Sequence, residues 1–426
     1  MADIAWQAGG QRAEASGSRL AVAAAIAGNG LELFDFLAYA FFAVYIGKAF
    51  FPASTPMASL LMALAAFGAG FATRPLGAVL MGRYADRAGR KPALALSMAL
   101  ATASTLGLAL VPPYAVAGVA APIAVVVCRL LQGLAYGGEF GPASAWLFEI
   151  APTGRRGLFG SWQFASQGLA SVAAGLCGIA VVGLLTPAQV QSWGWRLPFA
   201  LSLLMLPIAA VLRRSMTETA PARAAAPSAA LRPHARRLQL FLALIVGGTV
   251  PTYVASFMTT YAIAVLRLPP AAGMASAVAT GLSTAAFSLL GGWLADLMGR
   301  KPVMVLPRLL CVLAAYPAFA LLAAHPTAGV LLAVGAGLAA LSSLSNAAAL
   351  AAILELLPRG ARALGSSIVY ALGVAVFGGS TQFAATWLIS ATGSPAAPAW
   401  LISASGAAAL CAMLVLPETR GRPVDG

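Results

Sequence analysis

Between Gly82 and Pro92 the chain reads GRYADRAGRKP, and between Gly292 and Pro302 it reads GWLADLMGRKP, a constant offset of 210 residues. A second pair, LFEIAPTGRRG from Leu147 to Gly157 and ILELLPRGARA from Ile353 to Ala363, recurs at an offset of 206. Two motifs repeated in order and at nearly one spacing identify a tandem duplication. Each copy follows an apolar run long enough to cross a bilayer, so the duplicated unit is a set of membrane helices.

Composition agrees. Of the 426 residues 60% are hydrophobic and 9% charged, with a mean hydropathy of +0.87, whereas soluble domains carry about 25% charged residues. Apolar runs broken by charge, Pro or Gly predict twelve helical spans: 20–46, 58–82, 92–112, 119–149, 158–184, 195–213, 238–265, 271–297, 302–323, 327–356, 363–391 and 397–417. A barrel is excluded, because barrel strands are short and alternate apolar with polar residues. The expected architecture is all-α, with six-helix bundles over 1–213 and 238–426 joined by an Ala-, Pro- and Arg-rich linker over 214–237.

The net charge of +14 would suggest nucleic acid in a soluble protein, but here its placement is topological. Twenty of the 26 Lys and Arg residues fall on one face of the predicted map, including Arg83, Arg155, Arg213 and Arg420, against Lys48, Arg196 and Arg267 on the other. The positive-inside rule therefore predicts both termini in the cytoplasm of a multi-pass inner (plasma) membrane protein, with the lipid bilayer and no nucleic acid as partner. The first 19 residues contain no apolar signal segment, so the first span is expected to direct insertion. Cys128, Cys177, Cys311 and Cys411 each stand alone, and His234 and His325 pair with none of them, which predicts no metal, no cofactor and no enzyme chemistry.

Gly82, Asp86, Arg87, Gly89, Arg90 and Lys91 match every specified position of G-x-x-x-D-R-x-G-R-[RK], and on them the chain resembles the major facilitator superfamily. GNGLELFDF (Gly28–Phe36), FATRPLG (Phe71–Gly77) and RLLQGLAYGGE (Arg129–Glu139) resemble its metabolite:proton symporter branch. SWQFASQ (Ser161–Gln167), the Phe50, Phe51, Pro52 run and FGGST (Phe377–Thr381) are most similar to citrate and tricarballylate carriers. The resemblance implies a monomeric secondary carrier that imports an organic acid with protons by alternating access. A symporter of a zwitterion or compatible solute such as proline or betaine is the competing reading within the branch, and a non-transporting membrane sensor the reading outside it.

Acids inside a membrane cost about 2.5–3.5 kcal/mol on insertion scales and call for a functional explanation. Glu32, Asp35 and Glu139 are the acids well inside spans, hence the candidates for proton coupling. Glu32 lies about 18 Å along span 1 at 1.5 Å per residue, and Asn29, Asp35 and Tyr39 continue its face. On span 4, Gln132 and Tyr136 share a face with Arg129, which stays charged when buried and can grip a carboxylate with two parallel bonds. A substrate carboxylate and an internal bridge to Asp35 or Glu32 are equally open to Arg129. Substrate-binding candidates are Arg129 with Asn29, Tyr39, Gln132 and Tyr136, then Gln163 and Gln167 in span 5, Tyr253, Ser256 and Thr260 in a span-7 stripe with Thr249 and Thr252, Asn346 in span 10 and Tyr370 in span 11. Arg74, Glu149, Arg156, Asp296, Arg300, Glu355 and Arg362 join the six signature residues as the expected cytoplasmic gate. Leu297 replaces the arginine of the first copy, which predicts fewer charge contacts there, and Arg308 is expected to snorkel to the membrane interface.

Overall fold

The computed structural model describes residues 29–30, 33–88, 90–137, 144, 147–152, 154–203 and 235–421. The expected linker lies outside these residues except for 235–237, which open a helix instead of ending a loop. Span 1 is α1 (Leu33–Phe41) and α2 (Ala43–Phe50), followed by α3 (Pro56–Ala72), α4 (Arg74–Ala88), α5 (Arg90–Leu110), α6 (Ala120–Tyr136) and α7 (Arg156–Leu184). After the described start of span 6 at 197–203 come α8 (Ala235–Ala264), α9 (Pro270–Met298), α10 (Arg300–Ala324) and α11 (Ala328–Leu356). The chain closes with α12 (Arg359–Gly373), α13 (Gly379–Thr392) and α14 (Pro398–Val415). Among the described residues these helices account for eleven expected spans in full or in large part, and 197–203 opens the other.

Three spans depart from regular, uninterrupted α-helix. Span 1 bends by 69° between α1 and α2, where Thr260 Oγ1 donates to the Ala40 carbonyl at 2.9 Å. A side chain bonding into the backbone ladder is a known cause of kinks. Span 2 is interrupted at Thr73, a turn residue between α3 and α4. Span 11 joins α12 to α13 through a π-helical turn, Val374–Gly378. Such turns redirect a helix without ending it.

The two sequence halves meet along α7 with α9 and along α3 with α13, which are spans 5 with 8 and 2 with 11. The duplication exchanges these two pairs, so the seam between the halves has the symmetry the repeat predicts. Small residues make it close. Gly168 and Gly281 face one another with no room for a Cβ, as do Gly68 and Gly379.

Within the N-terminal half, the FATRPLG and RLLQGLAYGG segments cross where Gly70 lies against the Arg129 backbone and Gly133 against the Gly70 carbonyl. With no apolar gain from helix association in lipid, such close backbone approach supplies the packing energy. Gly133→Ala is therefore expected to eliminate monodisperse, folded protein in detergent. Gly183→Ala, where a Cβ meets nothing within 4 Å, is expected to leave it intact, as size-exclusion chromatography would show.

Candidate functional site

The glycine crossing brings two arginines into the centre of the N-terminal half. Arg129 is fully buried, its guanidinium carbon 4.7, 4.3 and 5.3 Å from the ring centroids of Phe36, Tyr39 and Phe67. Arg74 lies 4.5 and 4.6 Å from the centroids of Phe36 and Phe71. Phe36 is thus shared by both cations, which ring faces stabilise through their quadrupoles. Arg74, expected at the gate, packs in this aromatic box.

A chain of polar atoms links Arg129 to the buried acid of span 1. Arg129 Nη1 donates a short bond to Gln132 Oε1, and Gln132 Nε2 donates to Asp35 Oδ2 at 3.3 Å. Thr105 Oγ1 of α5 donates to the same oxygen at 2.7 Å. The internal partner of Arg129 is therefore Gln132, which stands between cation and acid. Arg129 Nε and Nη2 and Asp35 Oδ1 have no hydrogen-bond partner among the described residues, and Ser202 stands near Asp35 as a further hydroxyl. Buried polar atoms left unbonded are costly, so this network is poised to accept another partner. Glu32 and Glu139 lie outside the described residues.

The cavity lies beside this network, between the halves. Its empty volume is about 1010 Å³, part of it open to solvent, and α1 and α7 contribute walls from one half, α8, α9, α11 and α12 from the other. Of the sequence candidates, Gln167, Tyr253, Ser256, Asn346 and Tyr370 line it, as do Thr249 and Thr252. Tyr253 meets Phe71 edge to face at 5.3 Å, and Phe71 packs on Phe36 at 4.9 Å. Arg129 therefore stands behind an aromatic wall, not on the cavity surface, and Gln132 and Tyr136 stand with it.

The other candidates are occupied elsewhere. Tyr39 donates to the Ala63 carbonyl and Thr260 to that of Ala40. Asn29 and Gln163 bond each other, Gln163 Nε2 to Asn29 Oδ1 at 3.0 Å and Asn29 Nδ2 to the Gln163 carbonyl at 3.1 Å, with Ser166 Oγ also accepting from Asn29. This pair ties the start of span 1 to α7. Sequence reasoning missed Thr105, which carries no spacing signal, and Gln382, whose amide donates to Ser256 Oγ at 2.8 Å. It also misplaced Arg308, which is fully buried and donates to the Gly247 carbonyl and to Asn346 Oδ1 at 2.5 and 2.6 Å. The expectation of snorkelling fails because the helix face carrying Arg308 turns toward α8 and α11 and not toward lipid.

Charged contacts gather at the end of the bundle that carries the repeated motifs. Asp296, in the second motif copy, accepts from the backbone N–H groups of Gly157 and Leu158 at 2.8 and 2.9 Å, capping α7 across the seam. Anions at helix N-termini are stabilised by free N–H groups and the helix dipole. Arg300 steadies Asp296 at 3.1 Å and clasps Glu355 with two bonds of 3.1 and 2.7 Å. Arg362 reaches Glu149 at 3.5 Å across the halves, and Phe148 lies between Arg156 and Arg362, its ring 5.2 and 5.1 Å from their guanidinium carbons. Leu297 is half-exposed, and the second copy is nonetheless tied by this dense set of charges. Gly82, Arg87, Asp86, Arg90 and Lys91 fall in helical backbone of the first copy, but their side chains, like all of Gly89, lie outside the described residues.

Glu418, beyond the last helix, closes the network by accepting from the N–H groups of Arg300 and Lys301 at 2.9 and 2.8 Å. Burial pushes its carboxyl up, but bonds from the backbone of Arg300, Arg420, Lys301 and Thr419 outweigh this and hold it below the usual carboxylate range. A carboxyl lowered on folding stabilises above its unfolded pKa, about 4.3, and that stabilisation is lost as pH falls through the folded value. Glu418→Gln is expected to lower the melting temperature at pH 7 by the equivalent of a lost helix cap, about 1 kcal/mol. Differential scanning fluorimetry should show the gap to wild type closing below about pH 4.

The chain matches the family described as "Sugar (and other) transporter" over residues 20–221. It is 36% identical over 390 residues to the citrate-proton symporter of Klebsiella pneumoniae, covering 89% of this chain and 88% of that one. The alpha-ketoglutarate permease of Escherichia coli K12 is 33% identical over 383 residues, 87% of each chain. The proline/betaine transporter of the same organism is 29% identical over 434 residues, 96% of this chain and 85% of that one. The crystal structure of a D-xylose-proton symporter superposes with a TM-score of 0.75 at 16% identity, over 94% of this chain and 98% of that one.

Proposed function

The chain belongs to the major facilitator superfamily, in its metabolite:proton symporter branch, and from that membership we propose that it imports a di- or tricarboxylate with protons by alternating access. It is a proton-coupled membrane carrier and not an enzyme. The carboxylate is favoured by one observation above the others: a fully buried arginine, Arg129, that keeps two guanidinium nitrogens without partners among the described residues and is joined to a buried acid through a single amide. The resemblance to a citrate-proton symporter and an alpha-ketoglutarate permease points the same way, whereas the proline/betaine relative keeps the zwitterion reading as the alternative.

In this proposal Asp35 is the proton-coupling acid. While ionised it accepts from Gln132 and Thr105 and fixes the Gln132 oxygen on Arg129. A proton on Asp35 removes its negative charge and adds an O–H donor, which weakens its hold on the Gln132 amide. Gln132 then loses its reason to hold this orientation, and the guanidinium is freed for a substrate carboxylate. Because the aromatic wall of Phe67, Phe71 and Tyr253 separates Arg129 from the cavity in this conformation, capture requires the halves to rock and span 1 to shift at its break. Proton and substrate together favour one arrangement of the halves, which is all a ligand can do to an existing equilibrium. The motif-bearing end is assigned to the cytoplasm from its arginines, and there the Asp296 cap and the Arg362–Glu149 pair close and open the inner gate. Gln167, Tyr253, Asn346 and Tyr370 supply neutral donors to the substrate oxygens.

Uptake of radiolabelled citrate and tricarballylate into proteoliposomes, with and without an inward proton gradient, tests the reading. Wild type is expected to accumulate one of these acids when the gradient is applied. Asp35→Asn should retain counterflow exchange but lose gradient-driven accumulation at least tenfold, and Arg129→Gln should lose both. Absence of uptake of either acid by folded, reconstituted wild type, with uptake of proline or betaine in its place, would overturn the carboxylate assignment.

A further inference from the structure

Arg308 has no role in the scheme so far, yet it is the second fully buried guanidinium on the flank of the same cavity. It lies on α10, behind the cavity wall formed by α8 and α11. Among the described residues no carboxylate lies within 4.0 Å of it, and its Nε has no hydrogen-bond partner. Its two bonds go to neutral acceptors, the Gly247 carbonyl and Asn346 Oδ1. A neutral amide could make the same bonds, so the charge itself remains to be explained, and charges buried in membranes are found where ions or substrates pass.

The bond to Asn346 carries chemical information. A guanidinium only donates, so the amide oxygen of Asn346 must face Arg308 and the NH₂ group must face the other way. Asn346 lines the cavity, and its Nδ2 donates to none of the described residues. Gly248, also on the wall, packs so tightly against this amide that a Cβ there would stand 2.6 Å from Asn346 Oδ1. The Arg308 bond therefore fixes the orientation of this cavity-lining amide, with its N–H groups unbonded among the described residues and a positive charge on its oxygen.

We propose that Arg308 is a positioning residue for substrate: through Asn346 it makes the C-terminal wall of the cavity a receptor for a second carboxylate, opposite the one assigned to Arg129. This rests on the carboxylate reading and extends it, because one cation per half suits a substrate with carboxylates at both ends. A monocarboxylate occupies one wall only. The charge missing beside Arg308 is the one such a substrate brings.

The test compares wild type, Arg308→Gln and Asn346→Asp in proteoliposomes, measuring KM and maximal rate for citrate and tricarballylate and inhibition of citrate uptake by a monocarboxylate, acetate. Asn346→Asp guards against misfolding of the arginine variant, since the new carboxylate pairs with Arg308 and replaces the cavity-facing donor by an acceptor. Both variants are expected to raise KM for the di- or tricarboxylate at least tenfold with the maximal rate within about twofold, and to leave inhibition by acetate unchanged. If wild type transports these acids and Asn346→Asp, folded by size-exclusion chromatography, keeps the wild-type KM, the inference is wrong while the carboxylate reading stands. A loss of maximal rate without a change in KM would assign Arg308 and Asn346 to scaffolding and overturn it equally. Failure of wild type to take up either acid would bring down the carboxylate reading first, and this inference with it.

Discussion

An arginine cannot shed its charge in the interior of a membrane protein, and the N-terminal half is organised around that constraint. Arg129 is surrounded by aromatic faces and bonded to an amide that in turn bonds a buried acid. Every element near it serves this arrangement. The glycines of spans 2 and 4 bring the two helices together, span 1 supplies Phe36 and Asp35 from one helical turn, and α5 adds the Thr105 hydroxyl. Separating cation and anion by Gln132 leaves Arg129 Nε and Nη2 and Asp35 Oδ1 without hydrogen-bond partners among the described residues, and the proposed cycle uses these positions for a substrate and a proton. A direct ion pair would have been a more finished structure and a poorer switch.

The same tension appears between the halves. The seam is close-packed glycine on glycine along α7 and α9 and along α3 and α13, yet its motif-bearing end is held by charges and caps that can be exchanged. Apolar close packing provides a surface over which helices shift without losing hydrogen bonds, while ionic contacts provide discrete states. The π turn in span 11 contributes Val374 to the cavity wall, where backbone bonding is already irregular and small rotations cost least.

Much of this was legible in the sequence, and for physical reasons. The duplication at offsets of 210 and 206 announced the two-half architecture, since helices that bury equivalent faces keep equivalent residues. Asp35, Arg129 and Gln132 were legible because charge and amide inside apolar runs have few explanations. What the sequence does not carry is helix rotation. Snorkelling of Arg308 fails because which face of an all-round apolar helix meets its neighbours depends on packing with helices distant in sequence. The Asn29–Gln163 pair was read as two ligands for the same reason: two polar residues 134 positions apart satisfy each other only once the fold brings them together. The aromatic wall between Arg129 and the cavity was equally out of reach, since it depends on Phe71 and Tyr253 meeting across the seam.

In the proposed cycle Asp35 takes up a proton as substrate engages Arg129. Infrared difference spectroscopy of the reconstituted protein, recorded on adding citrate, reads this directly. The expected result is a protonated-carboxyl band that appears with citrate in wild type, shifts in D₂O and is missing from Asp35→Asn. An unchanged band in that variant, or citrate binding with no carboxyl protonation in wild type, would contradict it.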